Sequence, residues 1–481
     1  MKEGKREASN WTICLKCQGC GKKRQRLRKK VRLQYKLALE EFEKTKSKGT
    51  PPIRPKGHLI RCLNCNGSGL IQAVNPPKAA VKNYPHLAII GGGIGGAALA
   101  VACLHRGIPF TLYERDTSFN IRSQGYGLTL QQASKAIEGL GIISLKEGVI
   151  STRHLVHTTD GKVIGEWGLR KWLQTEKKTA TKRTNIHIAR QSLRLALLEQ
   201  LGGHKEVQWG HQLIDFKENA SEGVSLNFQV NGTLKTAKAD LVVGADGIRS
   251  TVRNLLIGDN ATPLRYLDCI VILGICPLKA LTGFTSSLLD SATVFQTANG
   301  NERMYMMPYT ADSVMWQLSF PMPEKEAIAL SAQGAQALKK EACSRTPWHD
   351  PIPQVLAATA VAQISGYPVY DRALLQPELL EKSKQTTLIG DAAHPMSPFK
   401  GQGANQALLD ALALARAISK GCSPKSNWRE VGLRKNVLAK FELEMLTRSA
   451  SKVKDSAAAA AFLHSKVVLQ KNDAPRGRSL K

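Results

Sequence analysis

The pattern of apolar and polar positions from residue 87 onward predicts alternating strands and helices. An apolar run at 87–90 precedes a glycine-rich turn at 91–96, an alanine-rich helix at 97–106 and a second apolar strand at 109–114. This order is that of a βαβ unit, which places its two strands side by side in a parallel sheet. We therefore expect an α/β fold built on a Rossmann-like parallel sheet.

Later segments predict a second, mixed or antiparallel sheet and further helices. Apolar periodicity predicts strands at 224–230, 268–276, 304–309 and 313–320 and helices at 191–201, 404–420 and from about 428. From these elements we expect a dinucleotide-binding domain formed by 84–260 and 368–425, a substrate-binding sheet domain at 261–367, and a C-terminal helix with a basic tail at 426–481.

Positive charge is concentrated at the start of the chain. The 481 residues have a formal net charge of +30, and residues 1–82 hold about 21 Lys and Arg against about 5 acidic residues. A helix with apolar residues at helical spacing is predicted over 27–42, and the three prolines of 75–85 predict a linker. A contact with nucleic acid or an anionic membrane surface is open for residues 1–82, but a solvated helix face explains the charge better because aromatic stacking residues are sparse.

Two Cys-x-x-Cys pairs within residues 1–82 predict a small zinc module. Cys14 and Cys17 form one pair, Cys62 and Cys65 the other, and both continue as Cys-x-Gly-x-Gly. Four thiolates at this spacing form a closed tetrahedral zinc site, for which Cys20 is a substitute ligand. The repeat resembles the cysteine-rich domain of the Hsp40 chaperones, which has four copies, so chaperone activity is not implied.

The sequence shows neither a secretory segment nor a membrane-spanning stretch, and this bears on the compartment we expect. The first ten residues have no apolar secretory segment, and no stretch approaches the roughly 20 apolar residues of a membrane-spanning helix. We therefore expect a soluble, cytoplasmic protein without a transmembrane segment, in which the thiols stay reduced.

The glycine-rich turn has the features of a dinucleotide site. Gly91, Gly93 and Gly96 follow a buried strand and open a helix, and Glu114 ends the next strand. In this context the glycines permit a tight turn and a close approach to a pyrophosphate at the helix N-terminus, while the acid accepts hydrogen bonds from a ribose. No second motif of this kind follows a strand elsewhere, which disfavours a separate nicotinamide domain.

Two later acidic turns complete a recognisable set. Asp246 and Arg249 follow the apolar strand at 240–244, and Gly390 and Asp391 precede a glycine-rich loop and a helix. With the first turn, these segments make the region from Gly91 to about residue 416 resemble the group A FAD-dependent monooxygenases, the family of para-hydroxybenzoate, salicylate and urate hydroxylases and tetracycline-inactivating monooxygenases.

The resemblance implies a bound FAD, NAD(P)H as co-substrate, and oxygen transfer from a flavin C4a-hydroperoxide to a small aromatic or polycyclic substrate with dioxygen. It assigns FAD contacts to Gly91, Gly93, Gly96, Glu114, Arg115, Arg122, Arg190, Asp246, Gly390, Asp391, Pro398, Gly401, Gln402, Gly403, Ala404 and Asn405. Backbone amides of the loop at 398–405 would face the flavin's N1/O2 edge, where a helix N-terminus stabilises negative charge.

The residues that contact substrate are open at this point. Met and aromatic residues at 304–308 and 314–320 are candidate walls of a flat pocket or plain core. His394 is more simply a residue that orders its turn than a catalytic base, so no catalytic residue is assigned. Two other functions remain: a zinc-anchored nucleic-acid- or protein-binding factor with a regulatory flavin fold, and an FAD-dependent dehydrogenase or halogenase.

Overall fold

The computed structural model describes residues 10–45, 50–122, 125–131, 133–173, 185–219, 222–424 and 426–475. The chain divides into two compact units, Met1–Pro77 and Lys78–Lys481. The division lies inside the linker predicted at 75–85.

Two antiparallel strand pairs and one helix form the smaller unit. Asn10–Ile13 pairs with Leu70–Ala73, and Lys22–Arg24 pairs with Leu59–Arg61. Helix Lys29–Lys44 connects the strands of the second pair, and none of its residues is buried. The helix predicted at 27–42 is therefore present, and its apolar positions Val31, Tyr35 and Phe42 are half-buried.

A five-stranded parallel sheet forms the centre of the larger unit. Its strands, in spatial order, are Val207–Trp209, Phe110–Glu114, Leu87–Ile90, Leu241–Gly244 and Thr386–Leu388. Numbered along the chain, the order is 3-2-1-4-5, in which the direction of strand addition reverses beside the first strand. This parallel sheet confirms the predicted Rossmann-like fold. Ligands of such sheets bind beyond the carboxyl ends of the strands, at the point where the strand order reverses.

The helix that connects the first two strands of the parallel sheet packs against two other helices. Helix Ile94–Leu104 is almost completely buried and contacts both Arg190–Gln200 and Gly403–Gly421. Its run of alanines offers only small side chains, which lets the neighbouring helices approach closely. Because this helix is packed against two others, the position of the glycine turn that precedes it is fixed.

A seven-stranded mixed sheet forms the second layer. In spatial order its strands are Val163–Trp167, Arg153–His157, Thr293–Ala298, Arg303–Thr310, Ser313–Pro321, Leu264–Pro277 and Ile364–Arg372. All neighbours are antiparallel except Arg153–His157 and Thr293–Ala298, which are parallel. The sheet thus takes two strands from inside 84–260 and extends past residue 367, beyond the range expected for the substrate domain.

The remaining elements are smaller sheets and short helices. Two antiparallel sheets consist of Gln212–Asn219, Gly223–Val230 and Thr233–Ala239, and of Gly127–Leu130, Asn185–Ala189 and Val149–Ser151. The other helices are Ser134–Glu138, Leu169–Leu173, Thr251–Ile257, Glu324–Ala332, Ala335–Arg345, Ile352–Ala358, Trp428–Val431 and Ala439–Leu463. The predicted C-terminal helix is present, while the end of the basic tail, 476–481, lies outside the described residues.

Within the described segments, no helix combines the length and the apolar character that crossing a bilayer requires. All ten cysteines lie in described segments and are free thiols.

Candidate functional site

The glycine-rich turn joins the first strand of the parallel sheet to its helix. At Gly91, with φ of +107°, a Cβ would lie 2.6 Å from a backbone oxygen of the neighbouring turn, and at Gly96 it would lie 1.9 Å from the carbonyl oxygen of Gly91. At Gly93 the nearest atom to a Cβ is Nη2 of Arg190, at 3.9 Å. Packing therefore requires Gly91 and Gly96, whereas Gly93 faces open space at a helix N-terminus, where a phosphate can bind.

Glu114 binds the glycine turn from the end of the second strand. Its Oε2 accepts a hydrogen bond from the Gly92 amide at 2.8 Å, and its Oε1 accepts one from the Asp116 amide at 3.0 Å. Arg194 lies across from it, with Nη2 3.8 Å from Oε2 of Glu114 and Nε donating to the Gly92 carbonyl at 2.7 Å. The carboxylate fixes the turn, and the ribose contact assigned to Glu114 stays a prediction.

The arginines assigned to the cofactor occupy different places. Arg190 approaches the glycine turn, since its Nη2 would lie 3.9 Å from a Cβ at Gly93, and its positive charge also opposes the rise of the Asp391 pKa. Arg115 is exposed directly after the second strand. The side chain of Arg122 lies outside the described part of the chain. Sequence reasoning missed Arg194, which follows Arg190 by four residues and therefore shares its helix face.

The Asp246 turn follows the fourth strand of the parallel sheet. Its carboxylate accepts hydrogen bonds from Ser250 Oγ at 2.5 Å and from the Val252 amide at 3.2 Å. Burial raises the pKa of Asp246, and these hydrogen bonds oppose the rise. Asp246 thus orders the start of helix Thr251–Ile257, while the exposed Arg249 lines the cavity described below. A cofactor contact by Asp246 stays a prediction.

Asp391 follows the last strand of the parallel sheet and opens to the same cavity. Asp391 is exposed to this cavity, yet the protein that surrounds the carboxyl raises its pKa by desolvation, and the positive charges of His394 and Arg190 oppose this rise. Gly390 begins the turn with φ of +57°, a conformation that favours glycine.

His394 orders this turn through Asp410. Nε2 of His394 lies 2.7 Å from Oδ2 of Asp410, which also accepts the Gly390 amide at 2.9 Å, and Oδ1 of Asp410 lies 2.8 Å from Arg448. Burial acts to lower the pKa of His394, but the Asp410 carboxylate outweighs it and raises the pKa. The imidazole is thus committed to an internal ion pair rather than to a proton transfer with substrate.

The glycine-rich loop ends where helix Gly403–Gly421 begins. All of residues 398–404 line the cavity, including the predicted cofactor residues Pro398, Gly401, Gln402, Gly403 and Ala404. The buried Asn405 side chain accepts hydrogen bonds from the amides of Gln131 and Ala133, at 2.9 and 3.1 Å, and donates to the carbonyls of Thr129 and Gly401, at 2.9 and 2.8 Å. Any cofactor contact from Asn405 must therefore come from its backbone amide.

A cavity of about 1240 Å³ is lined by this loop, by Asp391 and by the seven-stranded sheet. Side chains that alternate along two strands face it: Tyr305, Met307, Met315 and Gln317. Their neighbours point to the opposite face, into a separate core: Met304, Met306, Trp316 and Leu318. The candidate walls at 304–308 and 314–320 are therefore half cavity and half core, as the period of a strand requires.

Thr129, His154 and His187 line another part of the cavity and are joined into a hydrogen-bonded row by Ser151. Nδ1 of His187 lies 3.0 Å from Thr129 Oγ1, its Nε2 lies 2.8 Å from Ser151 Oγ, and Ser151 Oγ lies 3.2 Å from Nε2 of His154. Burial lowers the pKa of His187 to about 3 and that of His154 to about 4, so both imidazoles are neutral at pH 7. No motif in the sequence marks these residues, because strands distant in the chain bring them together.

The three turns and the cavity fit FAD. Gly93 leaves room for a pyrophosphate at a helix N-terminus, with the guanidinium of Arg190 beside it. The helix that begins at Gly403 has no side-chain cap at Gln402, and its first residues, Gly403 and Ala404, line the cavity. The first amides of a helix have no partner within the helix, so they are candidate donors to a ligand here. A flat, electron-accepting ring bound there would lie between these amides and the aromatic and thioether wall.

The smaller unit contains a candidate metal centre. Cys14, Cys17, Cys62 and Cys65 are buried, and their sulfurs all lie within 4.8 Å of one another. Backbone amides of Gly21 and Gly69 donate to the sulfurs of Cys17 and Cys65, at 3.2 and 3.3 Å. This grouping matches the predicted ligand set.

The repeated glycines explain how the two knuckles meet. A Cβ at Gly21 would lie 2.1 Å from the Gly67 carbonyl oxygen, and one at Gly69 would lie 2.5 Å from the Gly19 carbonyl oxygen. The two Cys-x-x-Cys turns therefore pack through glycines, Gly21 against Gly67 and Gly69 against Gly19. Cys20 is exposed and is not a member of the four-thiol group.

Known proteins similar to this chain include a monooxygenase and an epoxidase. The chain is 27% identical over 343 residues to 3-amino-4-hydroxybenzoate 2-monooxygenase PtmB3 of Streptomyces platensis, covering 69% of this chain and 79% of the relative. It is 27% identical over 347 residues to the chloroplastic zeaxanthin epoxidase of Solanum lycopersicum, covering 70% of this chain. The match spans about half, 48%, of the tomato protein's length.

A solved structure shares the fold. Klebsiella pneumoniae HpxO, in complex with FAD and uric acid, superposes with a TM-score of 0.64 at 21% identity, covering 79% of this chain and 89% of HpxO. The family described as "FAD binding domain" matches residues 85–423, which include all three cofactor turns. The chain therefore belongs to the FAD binding domain family of flavoprotein monooxygenases.

Proposed function

We propose that this protein binds one FAD non-covalently and uses NAD(P)H and dioxygen to hydroxylate a small aromatic or polycyclic substrate. The observation that carries the proposal is the cavity of about 1240 Å³ that joins the glycine-rich loop to an aromatic wall. The relative PtmB3 is named for action on an aminohydroxybenzoate, which supports an aromatic substrate here.

Residues of the chain have distinct roles in this proposal. The turn at 91–96 and Arg190 bind the pyrophosphate, and Asp391 binds the sugar chain of the cofactor. When bound, the flavin supplies hydride acceptance and oxygen activation, which need a site that excludes water. Tyr305, Met307 and Met315 supply an apolar wall that positions a flat substrate and keeps solvent out.

Oxygen incorporation tests the proposal directly. The FAD-loaded chain is incubated with NADH or NADPH, ¹⁸O₂ and a panel of phenols, hydroxybenzoates and polycyclic phenols. We expect substrate-stimulated oxidation of the nicotinamide and one ¹⁸O atom in the product. Turnover without ¹⁸O in the product would instead indicate a dehydrogenase or halogenase, and no stimulation by any member would contradict the proposal.

For the smaller unit, we infer one zinc ion held by Cys14, Cys17, Cys62 and Cys65. The support is the buried four-sulfur group with amide donors to the sulfurs, an arrangement typical of structural zinc sites. Metal analysis of the purified chain should give one zinc per chain, and Cys62→Ser should abolish it while Cys20→Ser leaves it unchanged. Equal zinc content in all three proteins would contradict this site.

A further inference from the structure

Arg303 is a buried cation in the wall of the large cavity. It begins strand Arg303–Thr310, is only 5% exposed, and lines the cavity. Its Nε donates to Gln296 Oε1 at 2.8 Å, and its guanidinium carbon lies 4.9 Å from the centre of the Tyr305 ring. Burial lowers the pKa of Arg303 to about 10, so the side chain is still charged at pH 7.

No carboxylate compensates this charge within the described part of the chain. Arg303 forms no ion pair there, and its two terminal nitrogens make no hydrogen bond to described residues. By contrast, the nearby Arg345 pairs with both Glu302 and Glu341. A buried, unpaired charge is strongly destabilising, so its presence beside a cavity points to a ligand that supplies the missing anion.

The neighbours of Arg303 on the sheet are further hydrogen-bonding groups. Gln296, Tyr305 and Gln317 lie opposite one another on three adjacent strands and therefore on one face. All three line the cavity with Arg303, and the Gln317 amide forms no hydrogen bond to described residues. We call Gln296, Arg303, Tyr305 and Gln317 the donor patch.

We propose that the donor patch binds an anionic oxygen group of the substrate, a carboxylate or an ionised phenol, through the guanidinium of Arg303. The planar guanidinium matches both oxygens of a carboxylate, and Gln317 offers an amide donor beside it. Tyr305 presents its ring to the same space, so an aromatic acid would be held by charge at one end and by ring contact along its plane. This inference rests on the proposed function and restricts its substrates to those with an acidic group.

Paired ligands test the proposal on the FAD-loaded chain. The probes are 4-hydroxybenzoate against 4-hydroxybenzamide, 1-hydroxy-2-naphthoate against its amide, and 4-nitrophenolate against 4-nitroanisole, with binding measured by calorimetry. We expect at least one ionised member to bind about ten- to a hundredfold more tightly than its neutral partner, since hydrogen bonds to charged groups have that strength. The first two pairs report a carboxylate and the third a phenolate.

Substitutions assign the preference to Arg303. Arg303→Met should remove the acid preference, Arg303→Lys should retain part of it, and the control Arg345→Met, outside the cavity lining, should leave it unchanged. Arg303→Met should not lower the melting temperature, because it removes an uncompensated charge, whereas a structural role would give a large loss. No preference for any acid, or a preference unchanged in Arg303→Met, would overturn the inference.

The outcome is separable from that of the proposed function. If the chain binds FAD and incorporates ¹⁸O but shows no acid preference, only the donor-patch inference fails. If it shows the preference but no oxygen incorporation, the anion site stands and the monooxygenase proposal fails.

Discussion

Two glycines of the same turn should respond in opposite ways to an added methyl group. A Cβ at Gly96 would lie 1.9 Å from the carbonyl oxygen of Gly91, so Gly96→Ala must displace backbone. Overpacking of this kind costs about 1–3 kcal/mol. A Cβ at Gly93 would meet nothing closer than Arg190 at 3.9 Å, and Gly93 has an ordinary φ of −71°. Gly93→Ala should therefore leave the stability of the apoprotein unchanged or raise it by up to about 1 kcal/mol.

Gly93→Ala, which should not destabilise the apoprotein, should nevertheless weaken FAD binding. If a pyrophosphate lies against Gly93, its added methyl group must weaken FAD binding at least tenfold, or about 1.4 kcal/mol. Urea unfolding of the apoproteins and fluorescence titration with FAD measure the two effects separately. Wild-type FAD affinity in Gly93→Ala would refute the assignment of this turn to the pyrophosphate.

Three further predictions concern the support of the site. Asn405→Ala removes four hydrogen bonds, one to the loop carbonyl of Gly401 and three to the backbone of Thr129, Gln131 and Ala133. Each is worth about 1 kcal/mol, so the substitution should lower both the unfolding free energy and FAD affinity, measured as above. Asp410→Asn breaks a buried ion pair and should cost about 3–5 kcal/mol in urea unfolding, so a cost near zero would show that the pair is not formed. In His394→Gln, the stability lost relative to wild type should be largest between about pH 4 and 6.5. The raised pKa of His394 stabilises the fold below its ordinary value of 6.5, and this stabilisation is lost as pH rises through the folded value. The lowered pKa of Asp410 stabilises the fold above its ordinary value of 3.8, and this stabilisation is lost as pH falls through the folded value. A loss that grows steadily from pH 7 to pH 9 would contradict that pairing.

The motifs predicted the local geometry of the cofactor turns, because a strand, a glycine turn and a helix are contiguous in the chain. The strong apolar character of 268–276, 304–309 and 313–320 predicts strands there. The structure extends the first by five residues, the second by two and the third by one. The strand Arg153–His157 was missed, since two histidines and an arginine interrupt its apolar pattern.

Residues whose role depends on tertiary contacts are not marked by any local sequence pattern. Arg303 is an ordinary arginine in the sequence, and only its burial beside a cavity distinguishes it. Arg194 could have been found from its four-residue spacing to Arg190, but its partner Glu114 lies on another element. His187 and Thr129 meet through the pairing of strands Asn185–Ala189 and Gly127–Leu130, which the sequence does not specify.

Equilibrium titration of the flavin-stripped, full-length chain with FAD tests the central claim most directly. The account predicts saturation at one FAD per chain, with a flavin absorbance spectrum that shifts from that of free FAD as the ring enters the cavity. Absence of saturable binding in a chain that is folded by circular dichroism would contradict it.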